Sequence, residues 1–283
     1  MTGYSQVKEL GTIETPILLT NTLSVPSVSN GVITYILGLP GNQNVRSVNT
    51  IVGETNDGYL NDIRGRHITE EHVLSAIRNS KDGAVEEGNV GAGTGTVCFG
   101  YKGGIGTSSR VLPQKFGGYT VGVLVQSNFG GVLEINGVPI AKLLDNYPIS
   151  YTYDVDGSCM MIVMTDAPLD SRNLERMAKR AMMGLAKTGG IASNGSGDYV
   201  IAVSTAKENI VPHNSEIQLQ QIEIMRNDAI TPLFLATIEA TEEAIINSLF
   251  AAQTTIGQHG RIIEALPLEK IMKLINEYQL TPK

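Results

Sequence analysis

The sequence predicts a layered domain that mixes helices with a strand-rich sheet, an α/β or α+β fold. Three observations carry this. Strand-like apolar runs alternate with helix-period segments along the chain. Two segments, starting near Asp170 and near Thr231, keep a long helical repeat between cap and stop signals. The chain holds 31 glycines, and those between Gly83 and Gly137 alternate with Val, Ile, Leu and Tyr. Low-complexity disorder would set them among Ser, Pro and Gln; here they read as strands whose backbones approach something closely.

Taken in order, Ile17 to Asn21 (ILLTN) reads as a short buried strand, followed by a helix through Val32 to Leu37. Thr50 to Val52 is a second short strand, and the polar loop 54–62 follows it. Thr69 can cap a helix over Glu70 to Arg78, with Glu70 and Glu71 in the first turn where the helix dipole favours them. Thr96 to Tyr101, Tyr119 to Gln126 and Val132 to Glu134 read as strands, and Asn136–Gly137 as a tight turn. A weakly anchored polar stretch, ISYTYDVDG, leads into the strand Ser158 to Thr165. Asp170 is an N-cap, and Leu174, Met177, Ala178, Ala181, Met182, Leu185 and Ala186 keep one helical face until Gly189 stops it. Tyr199 to Ser204 is a strand. Thr231 caps a helix with Pro232 at its first position, running past Leu249, and Pro267 opens a last helix to about Tyr278.

The chain has 283 residues, 42% apolar and 17% charged, enough core for a single domain over 1–283, and neither a Pro/Ser linker nor a repeat divides it. A formal charge of −7 and the lack of a basic run argue against nucleic acid. Two cysteines exclude a disulfide framework. No stretch of eighteen apolar residues would span a membrane, and MTGYSQVKEL has no signal-peptide pattern. The expectation is a soluble, cytoplasmic protein.

Most motifs have ordinary readings. Gly91–Ala92–Gly93–Thr94–Gly95 has the wrong spacing for a dinucleotide loop and precedes a strand, so a close-packed turn is expected and no cofactor. His67, His72, His213 and His259 are scattered, with no metal-ligand spacing. Cys98 reads as a small core residue. Gly157–Ser158 is different: a hydroxyl follows a glycine at the start of a strand. Glycine presents no Cβ to a hydroxyl attacking its carbonyl, and such an N-to-O acyl shift followed by hydrolysis would leave Ser158 as a new chain terminus. The freed α-amine, with a pKa of about 7.7–8.0, can act as a base beside its own hydroxyl. Ser196 and Asp198 can align a hydroxyl with a carboxylate, and Asn128 can donate to an oxyanion. On spacing alone, a strand start, a helix-to-strand turn and a satisfied strand end are the better explanations of these residues.

Together the segments are specific. TNTLSV at 20–25, GETNDGYLNDIRG at 53–65, EEGNVGAGTGTVCFGYKGGIGTSSR at 86–110 and YTVGVLVQSNFG at 119–130 occur in that order. DGSCMMIVMTDAPLDSRNLERMAKRA at 156–181, SNGSGDYVIAVSTA at 193–206 and ATEEAIINSL at 240–249 follow. This pattern, over essentially the whole chain, resembles the self-processing aminopeptidase family that includes the L-aminopeptidase/D-esterase and the β-peptidyl aminopeptidases.

The resemblance implies a four-layer αββα sandwich, like N-terminal-nucleophile (Ntn) hydrolases in shape but with different connectivity. It implies a precursor that cleaves itself at Gly157–Ser158 into an α-chain, 1–157, and a β-chain, 158–283, which stay associated and assemble as homo-oligomers. Ser158 then removes amino-terminal residues from small peptides, amides or esters, without metal or organic cofactor. Ser196 and Asp198 match the supporting serine and acid, Asn128 the oxyanion amide, and Tyr59 a tyrosine that also serves the oxyanion. From charge alone, Asp57 or Glu54 is a candidate for the substrate's ammonium group. Relatives begin with a further amino-terminal segment before the equivalent of Met1–Thr2–Gly3, so an incomplete sheet edge and pocket are expected. Two rivals stand: an acyltransferase of the same architecture, whose relatives use threonine where this chain has Ser158, and a non-catalytic homologue.

Overall fold

The computed structural model describes residues 2–144, 157–213 and 218–280. In chain order the elements are α1 (Tyr4–Leu10), β1 (Ile17–Asn21), α2 (Val25–Leu37), β2 (Ile51–Thr55) and α3 (Glu70–Arg78), then the short β3 (Val97–Cys98) and β4 (Tyr101–Lys102). There follow β5 (Gly104–Val111), β6 (Thr120–Asn128), α4 (Ile140–Leu143), β7 (Ser158–Thr165), α5 (Ser171–Lys187) and β8 (Gly197–Ser204). The chain continues with α6 (Thr231–Phe250), β9 (Thr255–Ile256), β10 (Ile262–Ile263) and α7 (Leu268–Leu280).

The main sheet has the order β5-β6-β7-β8, antiparallel except for the parallel pair β7–β8. β1 and β2 form a separate parallel pair. Three cores stack these into four layers. Side chains of α5 and α6 (Met177, Ala181, Leu185, Ala240, Ile245) pack with Met161 and Val163 on one face of β7. Met160, Ile162 and Ile201 on the opposite face meet Ile51 of β2. Behind β2, Val52 packs against Val28 and Val32 of α2 and Val73 of α3. The result is an αββα sandwich. It explains why SCMMIVMT is a continuous apolar run: from Ser158 to Val163 the strand is covered on both faces, so alternate residues have no solvent to point at, and Met164 alone in the strand is exposed.

Two of the expected caps recur. Asp170 Oδ1 accepts from the Asn173 N–H at 3.0 Å, and Thr69 and His72 form a capping box on α3. Three expectations are corrected. Thr231 is the first residue of α6 and not its cap, Ile230 standing at the N-cap with no side-chain hydrogen bond to give. Thr96 to Tyr101 is not one strand but the hairpin β3–β4, turning at Phe99 (φ 54°) and Gly100 (φ 80°), left-handed values that a strand excludes. Val132 to Glu134 is irregular, its Val132 and Glu134 N–H groups donating to the Gly189 and Thr188 carbonyls. β5, with sequence GIGTSSRV, carries too few β-formers to announce itself. It is a strand because α6 lies directly on it: a Cβ on Gly106 would sit 1.9 Å from the Ala244 carbonyl oxygen.

Of the ISYTYDVDG stretch only Gly157 lies among the described residues. Among those residues no helix is long and apolar enough to cross a membrane.

Candidate active site

β6, β7 and β8 begin or end flush at one edge of the main sheet, and this brings the predicted residues together. Asn128, the last residue of β6, is the register partner of Ser158, the first of β7. Ser158 is in turn the partner of Gly197, the first of β8. Ser158 is buried, 8% exposed. The Gly197 N–H donates to the Gly157 carbonyl at 2.9 Å, so the peptide bond preceding Ser158 is already polarised by the sheet.

The loop that enters β8 supplies the next pair. The Ser196 hydroxyl donates to Asp198 Oδ1 at 3.0 Å. Asp198 is the register partner of Cys159, whose backbone N–H also supports the carboxylate. Burial pushes the Asp198 carboxyl above its ordinary range, while the Ser196 hydroxyl and the Cys159 N–H pull the other way. A Cβ added to Gly157 would lie 3.1 Å from the Phe129 Cα and 3.3 Å from Ser196 Oγ. A glycine therefore leaves just the space that Ser196 occupies beside the 157–158 bond.

Asn128 is held from two sides. Its Oδ1 accepts from the Val97 N–H at 2.9 Å and its Nδ2 donates to the Asn56 carbonyl at 3.0 Å. Of the two hydrogens on Nδ2, that bond engages one. The second is the group an oxyanion would take.

The end of β2 and the loop after it sort the remaining candidates. Glu54, half-buried, accepts at Oε2 from the Thr22 hydroxyl. Asp57 is buried, and both its oxygens lie 3.1 Å from Asn61 Nδ2. Burial raises its carboxyl above the usual range against the Asn61 hydrogen bond and the charge of Lys102. Tyr59 is exposed at 51%, with the Arg261 guanidinium 4.8 Å from its ring centre and donating to its carbonyl. Its described contacts are to Arg261 and not to Ser158 or Asn128; it is Asn56, three residues earlier, that touches Asn128.

Sequence reasoning missed Asn56 and also Lys102, which is fully buried. The available signal was a single charge inside the glycine-rich hairpin CFGYKGGIG. Gly91–Ala92–Gly93 is the expected close-packed turn: a Cβ on Gly93 would sit 2.5 Å from the Ile105 nitrogen. Cys98 and Cys159 are both buried free thiols, and burial pushes Cys98 up to about 12. Among the described residues no group of three or more His, Cys, Asp or Glu could hold a metal ion.

The structure aligns with the L-aminopeptidase D-Ala-esterase/amidase of Ochrobactrum anthropi, described as a variant of the Ntn hydrolase fold, with a TM-score of 0.90 and 32% identity, covering 99% of this chain and 78% of that one. The PH0078 protein of Pyrococcus horikoshii gives a TM-score of 0.89 and 48% identity over 98% of this chain and 77% of that one. The β-peptidyl aminopeptidase BapA of Sphingosinicella microcystinivorans is 40% identical over 296 residues, covering 99% of this chain and 73% of that protein. Fold and site thus define a hydrolase of the aminopeptidase class, built on a variant of the Ntn-hydrolase sandwich. Residues 1–263 match the model of peptidase family S58, and the chain belongs to that family.

Proposed function

We propose that the chain is a self-processing serine aminopeptidase whose nucleophile is Ser158, released as an amino terminus by cleavage of the Gly157–Ser158 bond. The observation that carries this reading is the row Asn128–Ser158–Gly197 with the Ser196–Asp198 pair against Gly157. In processing, the Ser158 hydroxyl oxygen attacks the Gly157 carbonyl carbon, the C–N bond breaks, and the hydroxyl proton ends on the freed α-amine. Water then hydrolyses the ester, leaving Gly157 as a carboxylate and Ser158 with a free amine and hydroxyl.

In turnover the same hydroxyl attacks the carbonyl of a substrate amide or ester. The α-amine accepts its proton, oriented by Ser196 and Asp198, and passes it to the departing amine or alcohol; water then hydrolyses the acyl-serine ester, releasing the acid and restoring the Ser158 hydroxyl. The spare Asn128 N–H stabilises the oxyanion. Of the two carboxylates at the end of β2 and in the loop after it, Asp57 is engaged by Asn61 and by the charge of Lys102. Glu54 keeps its Oε1 without a partner among the described residues and is the one that meets the substrate's ammonium group. Substrates are small peptides, amides or esters with a free amino terminus, in line with the names of the relatives above.

The cut leaves the two chains joined. β7 would open the second chain and still pair with β6 of the first from Asn128↔Ser158 to Val121↔Thr165. The test is intact mass under denaturing conditions. The wild-type chain should give fragments 1–157 and 158–283, and Ser158→Ala a single full-length species. A Ser158→Ala chain that still splits at 157 would remove the assignment.

A further inference from the structure

Lys102 is a buried cation with no part in the chemistry above. Its Nζ donates to the Gly93 and Gly103 carbonyls, both at 2.7 Å. It is the register partner of Val97, whose N–H clamps Asn128 Oδ1. Asp57, next in sequence to Asn56, whose carbonyl clamps Asn128 Nδ2, lies against the segment that leads into the hairpin: a Cβ on Gly95 would sit 2.9 Å from Asp57 Oδ2, and the Asp57 charge reaches Lys102 although no ion pair joins the two among the described residues. The two segments that grip the amide, the loop after β2 and the hairpin β3–β4, therefore carry opposite charges behind the grip.

We propose that Lys102 is a positioning residue for the oxyanion donor, its ammonium drawing Asp57 and the hairpin together so that the Asn128 amide is held in one orientation. The inference rests on the reading of Asn128 given above. A buried carboxylate that loses its cation is destabilising, so an uncharged Lys102 leaves Asp57 to protonate or to swing toward water, and Asn56 moves with it. The ionisable groups facing Lys102 are Asp57 from the loop after β2 and Cys98 from β3. Cys98 stays a neutral thiol through the range concerned. Burial brings Lys102 down to about 8 against the charge of Asp57, so the grip loosens just above neutral pH.

The experiment uses the full-length processed chain and two readouts over the same pH range: kcat/KM on an amino-acyl p-nitroanilide, and the side-chain amide resonance of Asn128 in a 15N-labelled sample. Wild type should lose activity above about pH 8, the Asn128 resonance shifting with the same midpoint. Lys102→Arg, which keeps its charge, should move both midpoints upward by more than about one pH unit. Lys102→Met should lower kcat about a hundredfold with KM little changed. Adding Asp57→Asn to Lys102→Met, which keeps the test open should Lys102→Arg misfold, should restore part of kcat and abolish the amide shift. A shift that persists unchanged in Lys102→Arg or in the double variant overturns the proposal. A chain inactive toward every amino-acyl substrate counts against the proposed function instead, and the amide resonance still decides the role of Lys102.

Discussion

Asn128 and Ser158 face each other at the last paired position of β6 and β7, one with an amide hydrogen that has no partner among the described residues and the other with a hydroxyl. The sheet itself sets their separation, so the donor needs no loop movement to be in place. Rigid strands hold such a pair better than loops do, because each side chain inherits its position from the hydrogen-bond ladder.

Replacing Asn128 by Ala should therefore lower kcat by about 10²–10³ with a smaller change in KM, the pattern of a contact made chiefly in the transition state. Steady-state kinetics on a processed preparation read this directly. A kcat within a few-fold of wild type would show that another group stabilises the oxyanion.

Much of this site was legible in the sequence, for a physical reason. Ser158, Asn128, Ser196 and Asp198 stand where strands start or end, and strand boundaries announce themselves through glycines and polar breaks in apolar runs. Gly157–Ser158 before SCMMIVMT and Asn128 after TVGVLVQS are of that kind. The layer order of the sandwich came from the family pattern, since short runs such as ILLTN cannot say which sheet they join. β5 was lost because Gly104 and Gly106 are chosen for what packs on them, the Gly88 backbone on the first and, more than a hundred positions away in sequence, Ala244 and Ser248 on the second. Asn56 was passed over because it acts through its carbonyl, which every residue has. Lys102 was passed over because burial of a lysine is invisible until the walls around it are assembled.

The environment of Asp198 gives a pH-dependent prediction. Its carboxyl is raised in the fold by burial, so the native state favours the protonated form. That contribution is present below the ordinary carboxylate value and is lost as pH rises through the elevated one. Wild type should then lose stability from about pH 4 toward neutrality relative to Asp198→Asn, which has no charge to bury. Thermal melts of both proteins across that window test the sign. The same substitution should lower kcat by about 10² or more, since Ser196 loses the carboxylate that orients it. Parallel stability curves would mean that the Asp198 charge is already compensated in the native state.

Glu54 and Asp57 separate by kinetics. Glu54→Gln should raise KM for substrates with a free amino terminus and leave an N-acylated ester analogue unaffected, because only the first carries the ammonium charge. Asp57→Asn should act mainly on kcat, through Lys102 and the grip on Asn128. If the two variants exchange these signatures, Asp57 is the ammonium ligand.

The sharpest structural prediction concerns two glycines on adjacent strands. A Cβ on Gly106 would lie 1.9 Å from the Ala244 carbonyl oxygen and 2.6 Å from the Ser248 nitrogen, both backbone atoms of α6. Neither can rotate away, so the helix must withdraw. The Ser248 hydroxyl is 2.7 Å from that of Ser127, the neighbour of Asn128. Withdrawal thus loosens a buried polar contact one residue from the oxyanion donor. On Gly122, in the neighbouring strand β6 and paired with Ser109, a Cβ meets nothing within 4 Å. Gly106→Ala should cost about 1–3 kcal/mol by overpacking and reduce activity with it. Gly122→Ala should be neutral or stabilising by about 0.4–1 kcal/mol, since alanine has less conformational freedom to lose on folding. Equal melting temperatures for the two variants would mean that α6 does not lie on β5 as described, and the layer that carries the site would have to be redrawn.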